Sequence, residues 1–210
     1  MVFLFVPNLI GYLRFAFLFA VFPLYRSHPL AALLCYGVSQ LLDAFDGMAA
    51  RYFKQSTKFG AVLDMVCDRA SNGVMLAILA GLYPEWSWVF LGDIVLDLVS
   101  HWYQMYVSLL RGQHHKESQS SWWLLNLYYG NKKVLFTLVA GNEVFLLAAY
   151  IQANWEQIGL CSGCEWVNLV LLWVGLVLFL IKKLMSVIQL ISASQQLAEI
   201  DVADRKQKQH

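Results

Sequence analysis

This chain has few charged side chains, almost no excess of charge of either sign and no visible repeat. Charged residues make up 14% of the 210 residues, and 15 basic side chains nearly balance 14 acidic ones, for a net charge of +1. A general attraction to nucleic acid is therefore not expected. The start, MVFLFVPNLIGYLRF, has no basic segment before its apolar run, so we expect no cleaved signal peptide and a retained first helix. No internal repeat or linker is visible, and we expect one domain over residues 1–210.

Cysteines are also few, and two of the four lie within apolar segments. Cys35 and Cys67 are expected to be small buried residues. Cys161 and Cys164 form the sequence CSGC in a predicted loop, and such a lone pair falls short of a zinc site. Two alternatives stay open for them, a local disulfide facing an oxidising lumen or two free thiols.

Apolar residues, in contrast, are abundant. They make up 59% of the chain, and the mean hydropathy is +0.54. A helix needs about 20 largely apolar residues to cross a membrane. Only helices or closed barrels span lipid, and the apolar runs are too long for barrel strands. We predict an all-α integral membrane protein with six transmembrane helices over residues 8–25, 29–51, 59–82, 86–110, 133–153 and 165–191.

The basic residues concentrate on alternate connections and towards the C-terminal end of the chain. The opposite connections carry only Arg26. Since basic loops stay in the cytoplasm, we expect both termini in the cytosol. Four aromatic residues lie in the fourth connection and fit an interfacial belt, namely Trp122, Trp123, Tyr128 and Tyr129. Packing of these side chains inside the loop is the alternative. The basic side comprises Arg51, Lys54, Lys58, Arg111, Lys116, Lys132, Lys133, Lys182, Lys183, Arg205, Lys206 and Lys208.

Four aspartates interrupt the apolar pattern at the second and third helices. Asp43 and Asp46 are three residues apart and share one helix face. Asp64 and Asp68 are four residues apart on the next helix. Residues 52–57 are polar and predict a turn between antiparallel helices. This arrangement directs four carboxylates into one gap on the predicted cytoplasmic side.

Carboxylates so close together repel one another and are costly at membrane depth. Mg²⁺ takes carboxylate oxygens and binds substrate phosphates as well, and two such ions can clamp a phosphoryl group. Gly47 and Gly60 allow a ligand to approach the backbone. Arg51 offers a planar fork for phosphate oxygens. Surface aspartates on a solvated helix are the alternative, which the apolar flanks disfavour.

The spacing D-x2-D-G-x2-A-R-x8-G-x3-D-x3-D resembles the signature of the CDP-alcohol phosphotransferases. Every fixed position is present, and the predicted helix layout extends the resemblance to most of the chain. The residues that carry it are Asp43, Asp46, Gly47, Ala50, Arg51, Gly60, Asp64 and Asp68. The resemblance implies transfer of a substituted phosphate from a CDP-linked donor to an alcohol, with release of CMP.

The resemblance also implies the roles of the motif residues. Two divalent ions, Mg²⁺ or Mn²⁺, are expected in the site. Asp43, Asp46 and Asp64 would hold the first ion, and Asp43, Asp64 and Asp68 the second. Asp68 would also act as general base on the attacking hydroxyl.

Further residues are expected to bind CDP-diacylglycerol. The residues of the motif expected to bind the donor are Gly47, Arg51 and Gly60. In the loop, Thr57 is a further candidate, although it also fits a helix N-cap. Asn8 and Arg14 lie in PNLIGYLR, which resembles the family's segment near the nucleotide. An ion pair between Arg14 and a motif aspartate is the structural alternative.

The alcohol acceptor is predicted from the fourth helix. Asp93, Asp97 and His101 are spaced on one face, followed by Gln104, and offer hydrogen bonds to a neutral polyol. Arg69 is a further candidate. The structural alternatives are a network pairing Arg69 or, for Asp93, a polar helix end near the lumen. The segments DLVSHWYQMY and FTLVAGNEVF resemble eukaryotic family members that use myo-inositol. Serine or glycerol phosphate are alternative acceptors, although few basic residues lie at helix depth to bind a phosphate.

A divalent-cation transporter is the alternative from another class of function, but an ion path needs neither an arginine nor backbone access for a nucleotide.

The resemblance implies a homodimer, and small residues such as Gly73, Ala77 and Ala80 agree with it. Lys206 and Lys208 near the end resemble a dilysine retrieval signal, which predicts the endoplasmic reticulum membrane. A solubilising tail drawn to anionic lipid is the alternative.

Overall fold

The computed structural model describes residues 1–110 and 122–208, and within them it is built from α-helices joined by short turns, with no strand. This confirms the all-α prediction. The predicted connection residues Arg111 and Lys116, and His210 at the end of the tail, lie outside the described residues. The helices are α1 (Val6–Leu24), α2 (Pro29–Tyr52), α3 (Lys58–Leu82), α4 (Ser87–Leu110), α5 (Trp123–Gly130), α6 (Lys132–Ala153), α7 (Trp155–Ile158) and α8 (Glu165–Gln207).

Four of these helices are long and apolar enough to cross a membrane, namely α1, α3, α6 and α8. The helices α2 and α4 have 24 residues each, a sufficient length. Neither contains an 18-residue stretch as apolar as those of the other four, and each carries two of the aspartates that the sequence singled out. The prediction of six spans is thus supported for four helices.

The helix α5 corrects the sequence-based expectation, which assigned its residues to a loop. Its apolar face packs on α6 and α8 in a buried cluster of Leu125, Tyr128, Leu138 and Met185. This packing stabilises an eight-residue helix that would be marginal alone. Trp123 is 73% exposed and fits an interfacial belt, whereas Tyr128 is 8% exposed and packs inside, as the alternative predicted.

The length of α8 is a second correction. The predicted helix ends at Ile191 with the apolar run, but α8 continues to Gln207 and has 43 residues. The added segment is rich in Ala and Gln and ends in Arg, Lys and Gln, residues that favour helices in water as well as in lipid. Lys182 and Lys183, assigned to the basic end of the chain, lie in the middle of α8, and Lys182 is buried.

The chain forms two compact units, the first of Met1–Phe90 with Ala149–Trp166 and the second of Leu91–Ala148 with Val167–His210. In the first, α1 approaches α3 so closely that a Cβ on Gly11 would lie 2.8 Å from Leu63 Cδ2. A disulfide joins Cys161 and Cys164 in the same unit, which decides between the two alternatives for CSGC.

In the second unit, α6 and α8 make an equally close contact. A Cβ on Gly175 would lie 2.7 Å from the backbone nitrogen of Phe145. Small residues at such positions let transmembrane helices approach through their backbones, which suits association in lipid.

Candidate active site

The turn between α2 and α3 brings the motif residues together. Thr57 begins α3 as its N-cap, and its hydroxyl accepts a hydrogen bond of 3.0 Å from the backbone N–H of Gly60. Lys54 in the turn has a φ of 54°, a left-handed conformation that reverses the chain direction. The short turn therefore places the end of α2 beside the start of α3, as the sequence predicted.

Three of the four motif aspartates form a group able to hold a metal ion. Asp43, Asp64 and Asp68 each offer a carboxylate oxygen, and these oxygens lie within 4.8 Å of one another. Their side chains are 43%, 44% and 35% exposed, so an ion and its ligands can reach them. Hard carboxylate oxygens suit a divalent cation such as Mg²⁺. The residues present therefore fit the divalent ion that the resemblance implies.

Arg14 from α1 lies at the centre of the motif aspartates and contacts all four. Its side chain is fully buried. Its Nη1 lies 2.7 Å from Asp43 Oδ1, 2.9 Å from Asp46 Oδ2 and 3.1 Å from Asp64 Oδ1, and its Nη2 lies 2.7 Å from Asp68 Oδ1. The structural alternative for Arg14 is thus confirmed, and its contact with the nucleotide stays a prediction. Even with Arg69 at the edge of the group, two positive charges face four carboxylates, so the group favours further cations.

Asp46 differs from the other three aspartates in its exposure. It is only 8% exposed, and it lies outside the group of three whose oxygens converge. Arg69 Nη2 lies 3.7 Å from Asp68 Oδ2, which places Arg69 at the edge of the carboxylates in the first unit.

A cavity of about 270 Å³ opens beside the carboxylates. It brings together all the residues predicted to bind the donor except Arg14, and adds Gln55 and Ser56 from the turn, which the sequence analysis missed. Their only signal is their place in the polar turn. The polar and glycine residues of its lining are Asn8, Gly11, Asp46, Gly47, Arg51, Gln55, Ser56, Thr57, Gly60 and Asp64.

Asn8 and Gly60 meet at the wall of this cavity. A Cβ on Gly60 would lie 2.9 Å from Asn8 Oδ1 and 3.2 Å from Thr57 Oγ1, so a side chain at position 60 would displace the Asn8 side chain. Asn8 Nδ2 donates a 2.7 Å hydrogen bond to the carbonyl oxygen of Val2. Its Oδ1 is buried and accepts no hydrogen bond from any residue in the described part of the chain. That oxygen is therefore available to a donor group of a ligand.

The predicted acceptor residues on α4 lie in the second unit. Asp97 and His101 contact each other, with 3.7 Å between Asp97 Oδ1 and His101 Nδ1. Asp93 forms an ion pair of 2.8 Å with Lys183, a partner that the sequence analysis missed. The signal was present, because a lysine inside an apolar helix needs a counter-charge. Gln104 is buried on the same helix.

Comparisons with known proteins identify the relatives of the chain. Residues 4–193 match the family model for CDP-alcohol phosphatidyltransferase. The chain is 43% identical to the human "CDP-diacylglycerol--inositol 3-phosphatidyltransferase" over 99% of its own length and 97% of that protein. It is 41% identical to the protein of that name from Candida albicans, over 99% and 87% of the two chains. For the protein of that name from Saccharomyces cerevisiae, the identity is 35% over 97% and 90%.

No solved structure matches the chain significantly. The match to the family model covers nearly the whole chain, and the relatives align with it almost end to end. The chain belongs to the CDP-alcohol phosphatidyltransferase family.

Proposed function

We propose that the protein transfers the phosphatidyl group of CDP-diacylglycerol to myo-inositol, giving phosphatidylinositol and CMP. The observation that carries the proposal is the group of converging carboxylates beside the cavity that gathers the predicted donor-binding residues. The names of relatives at 35–43% identity over nearly the whole chain support the same donor and acceptor.

The cavity supplies groups that suit the nucleotide end of the donor. Asn8 Oδ1, which lacks a donor among the described residues, would accept a hydrogen bond from the amino group of cytosine. Arg51 lines the same cavity, and its guanidinium would bind the diphosphate. Gly47 and Gly60 would keep the backbone open to the ligand.

We infer that Asp43, Asp46 and Asp64 would hold one divalent ion and that Asp43, Asp64 and Asp68 would hold a second, Mg²⁺ or Mn²⁺. When bound, such ions neutralise charge on the diphosphate and make CMP a better leaving group. The convergence of three carboxylates supports the second of these groups directly. The burial of Asp46 supports a place for this residue at the wall of the first metal site.

Asp68 is proposed as the base that activates the acceptor. Its side chain is one-third exposed, and Arg14 and Arg69 hold its two oxygens. A hydroxyl oxygen of inositol attacks the phosphorus of the phosphatidyl group, and its proton passes to Asp68. The bond between that phosphorus and the bridging oxygen breaks, and CMP leaves with the electron pair. Proton removal by a positioned base contributes about 10²–10⁴-fold to such a rate.

Recognition of the acceptor is proposed for Asp97 and His101 on α4, together with Arg69. Asp97 and His101 are neighbours on one helix face and suit the hydroxyl groups of a neutral polyol. Serine and glycerol phosphate are the competing acceptors within the family.

We also propose the arrangement in the membrane. Six spans, completed by α2 and α4, would place both termini and the carboxylates on the cytoplasmic side, as the basic connections indicate. Residence in the endoplasmic reticulum and a homodimer are proposed on the dilysine resemblance and the family resemblance. Crosslinking at a low detergent ratio that yields only monomer would contradict the dimer.

Incorporation of radiolabelled inositol by the purified protein tests the reaction. With CDP-diacylglycerol and Mg²⁺ or Mn²⁺, we expect labelled phosphatidylinositol and one CMP per lipid formed. EDTA should abolish the reaction, and added metal should restore it. Labelled serine and glycerol 3-phosphate serve as parallel acceptors. Product from either of these but not from inositol would overturn the acceptor, and full activity in EDTA would overturn the metal sites.

A further inference from the structure

A second cavity lies within the second unit, between α5, α6 and α8. Its volume is about 390 Å³, inside the range of about 300–1,000 Å³ that is usual for small-molecule sites. Its lining includes none of the motif residues and is almost entirely apolar: Leu124, Leu127, Tyr128, Lys133, Val134, Thr137, Leu138, Ile181 and Met185. Such walls suit a hydrocarbon chain.

The walls of this cavity are fixed by packing. Tyr128, Leu138 and Met185 line it and also belong to the buried cluster that holds α5 against α6 and α8. Leu138 and Met185 are 7% and 4% exposed, so they are anchored on the protein side of the cavity. The cavity is therefore a feature of the packed unit, because closing it would require these side chains to give up their contacts.

A single charged side chain, Lys133, lines the cavity. It is exposed, and no carboxylate in residues 1–110 or 122–208 forms an ion pair with it. Lys132 and Lys133 occupy the first turn of α6, where the helix dipole disfavours a positive charge. A negative group bound beside Lys133 would offset this, so the cavity combines apolar walls with a demand for an anion.

The tryptophans of α5 indicate the depth of the cavity in the membrane. Trp122 and Trp123 are 38% and 73% exposed at the start of α5. Exposed tryptophans favour the level of the lipid headgroups. A phospholipid places its phosphate at this level and its chains below it, which matches a lysine beside an apolar cavity.

We propose that this cavity binds an anionic glycerophospholipid of the bilayer, with one acyl chain between α5, α6 and α8 and the phosphate beside Lys133. The charge of Lys133 favours an anionic lipid over a zwitterionic one, since basic pockets beside transmembrane helices bind such headgroups. The bound lipid is neither donor nor acceptor of the proposed reaction, and it would clamp α5 onto the unit.

Native mass spectrometry of the full chain, with EDTA present to prevent turnover, tests the site. The probes are phosphatidylserine and phosphatidylcholine with the same acyl chains. We expect phosphatidylserine to form the tighter complex and Lys133→Gln to weaken it roughly fivefold. Lys132→Gln is the matched control, because Lys132 carries the same charge on the same turn but does not line the cavity. That control should retain the affinity of the original chain.

A second variant tests the apolar part. Thr137→Trp places a large side chain in the cavity and should reduce phosphatidylserine binding, while the thermal unfolding temperature checks that the variant is folded. Equal binding of the two lipids, equal losses in Lys132→Gln and Lys133→Gln, or displacement of phosphatidylserine by CDP-diacylglycerol would each overturn the proposal. None of these readouts requires catalysis, so failure of the proposed reaction would leave the result interpretable.

Discussion

The two units of the chain both bury charge among apolar helices, but with different balance and different exposure. In the first unit, Arg14 and, at the edge, Arg69 meet four aspartates, and the side chains of Asp43, Asp64 and Asp68 are 35–44% exposed. In the second, Asp93 meets Lys183 one to one, and their side chains are 5% and 12% exposed. The first group has excess charge and access to solvent, whereas the second is nearly neutral and closed.

This difference separates a site from a structural pair. A balanced, closed ion pair needs nothing further, and its main effect appears when one partner is lost. Carboxylates in excess beside a cavity are stable only with additional cations, and they leave room for a ligand. A charge inside a membrane helix is therefore a first indication of function. The ratio of positive to negative charges, together with their exposure, shows whether the charges form a site or a structural pair.

The largest expected effect is on catalysis by the first unit. Asp68→Asn removes the proposed base, and transfer should fall by about 10²–10⁴-fold while donor binding largely remains. Asp43→Asn should lose both, because Asp43 is assigned to both metal ions. Inositol incorporation and a donor-binding assay measure the two effects. Equal donor affinity in the two variants would contradict this division of roles.

The next effect concerns the stability of the second unit. Asp93→Asn leaves Lys183 charged and almost buried, which should lower the free energy of unfolding by about 3–5 kcal/mol. Adding Lys183→Met should recover most of the loss, because the double variant buries no unpaired charge. Unfolding in detergent measures both variants, and a double variant as unstable as the single one would show that the pair is not an isolated unit.

Arg14→Gln should have a smaller effect on stability that depends on metal. The buried cation is lost, but three of its four partners are partly solvated, so we expect a loss of about 1–3 kcal/mol in EDTA. Mg²⁺ should restore more stability to the variant than it adds to the original chain, since the ion then supplies the missing charge. Unfolding temperatures with and without Mg²⁺ test this, and an equal response in both proteins would argue against a metal among these carboxylates.

Two glycines provide a matched pair in the donor cavity. Gly60→Ala places its Cβ 2.9 Å from Asn8 Oδ1, whereas the Cβ of Gly47→Ala meets the Arg51 guanidinium, at 3.5 Å from Nη1 and 3.9 Å from Nη2. We expect the KM for CDP-diacylglycerol to rise about tenfold for Gly60→Ala, because the asparagine is displaced, and less for Gly47→Ala. A reversed order would show that Asn8 does not contribute to donor binding.

The smallest effect tests the acceptor residues of α4. Asp97→Ala and His101→Ala should each raise the KM for inositol about threefold, with little change for CDP-diacylglycerol, because each removes one hydrogen-bonding group. Steady-state kinetics with each substrate varied in turn measures this. An unchanged KM for inositol in both variants would leave these residues with a structural role alone.

The carboxylate group of the first unit could be predicted from the sequence because local rules determine it. Helical spacing places Asp43 beside Asp46 and Asp64 beside Asp68, and a short polar turn brings the two pairs together. The central position of Arg14 was harder, because it depends on how α1 packs against α2 and α3. A charge in an apolar run shows only that a partner is needed, and four aspartates were equally eligible.

The features that the sequence did not reveal depend on tertiary packing or on the limits of hydropathy. Lys183 was assigned to the basic side although it falls within the predicted helix over 165–191, and the structure pairs it with Asp93, 90 residues away. The helix α5 is short, and its stability comes from neighbours on α6 and α8. The end of α8 was set too early because loss of hydropathy marks the end of an apolar run, not the end of a helix.

The length of α8 has a consequence for the basic end of the chain. At 1.5 Å per residue, its 43 residues span about 65 Å, whereas a bilayer with its headgroups is about 40–45 Å thick. An upright α8 with Trp166 at one interface would carry Arg205 and Lys206 about 15–20 Å past the other. The screening length at physiological salt is about 8 Å, so these charges would scarcely sense anionic headgroups. They would instead be presented to the aqueous phase, where a soluble receptor can reach them.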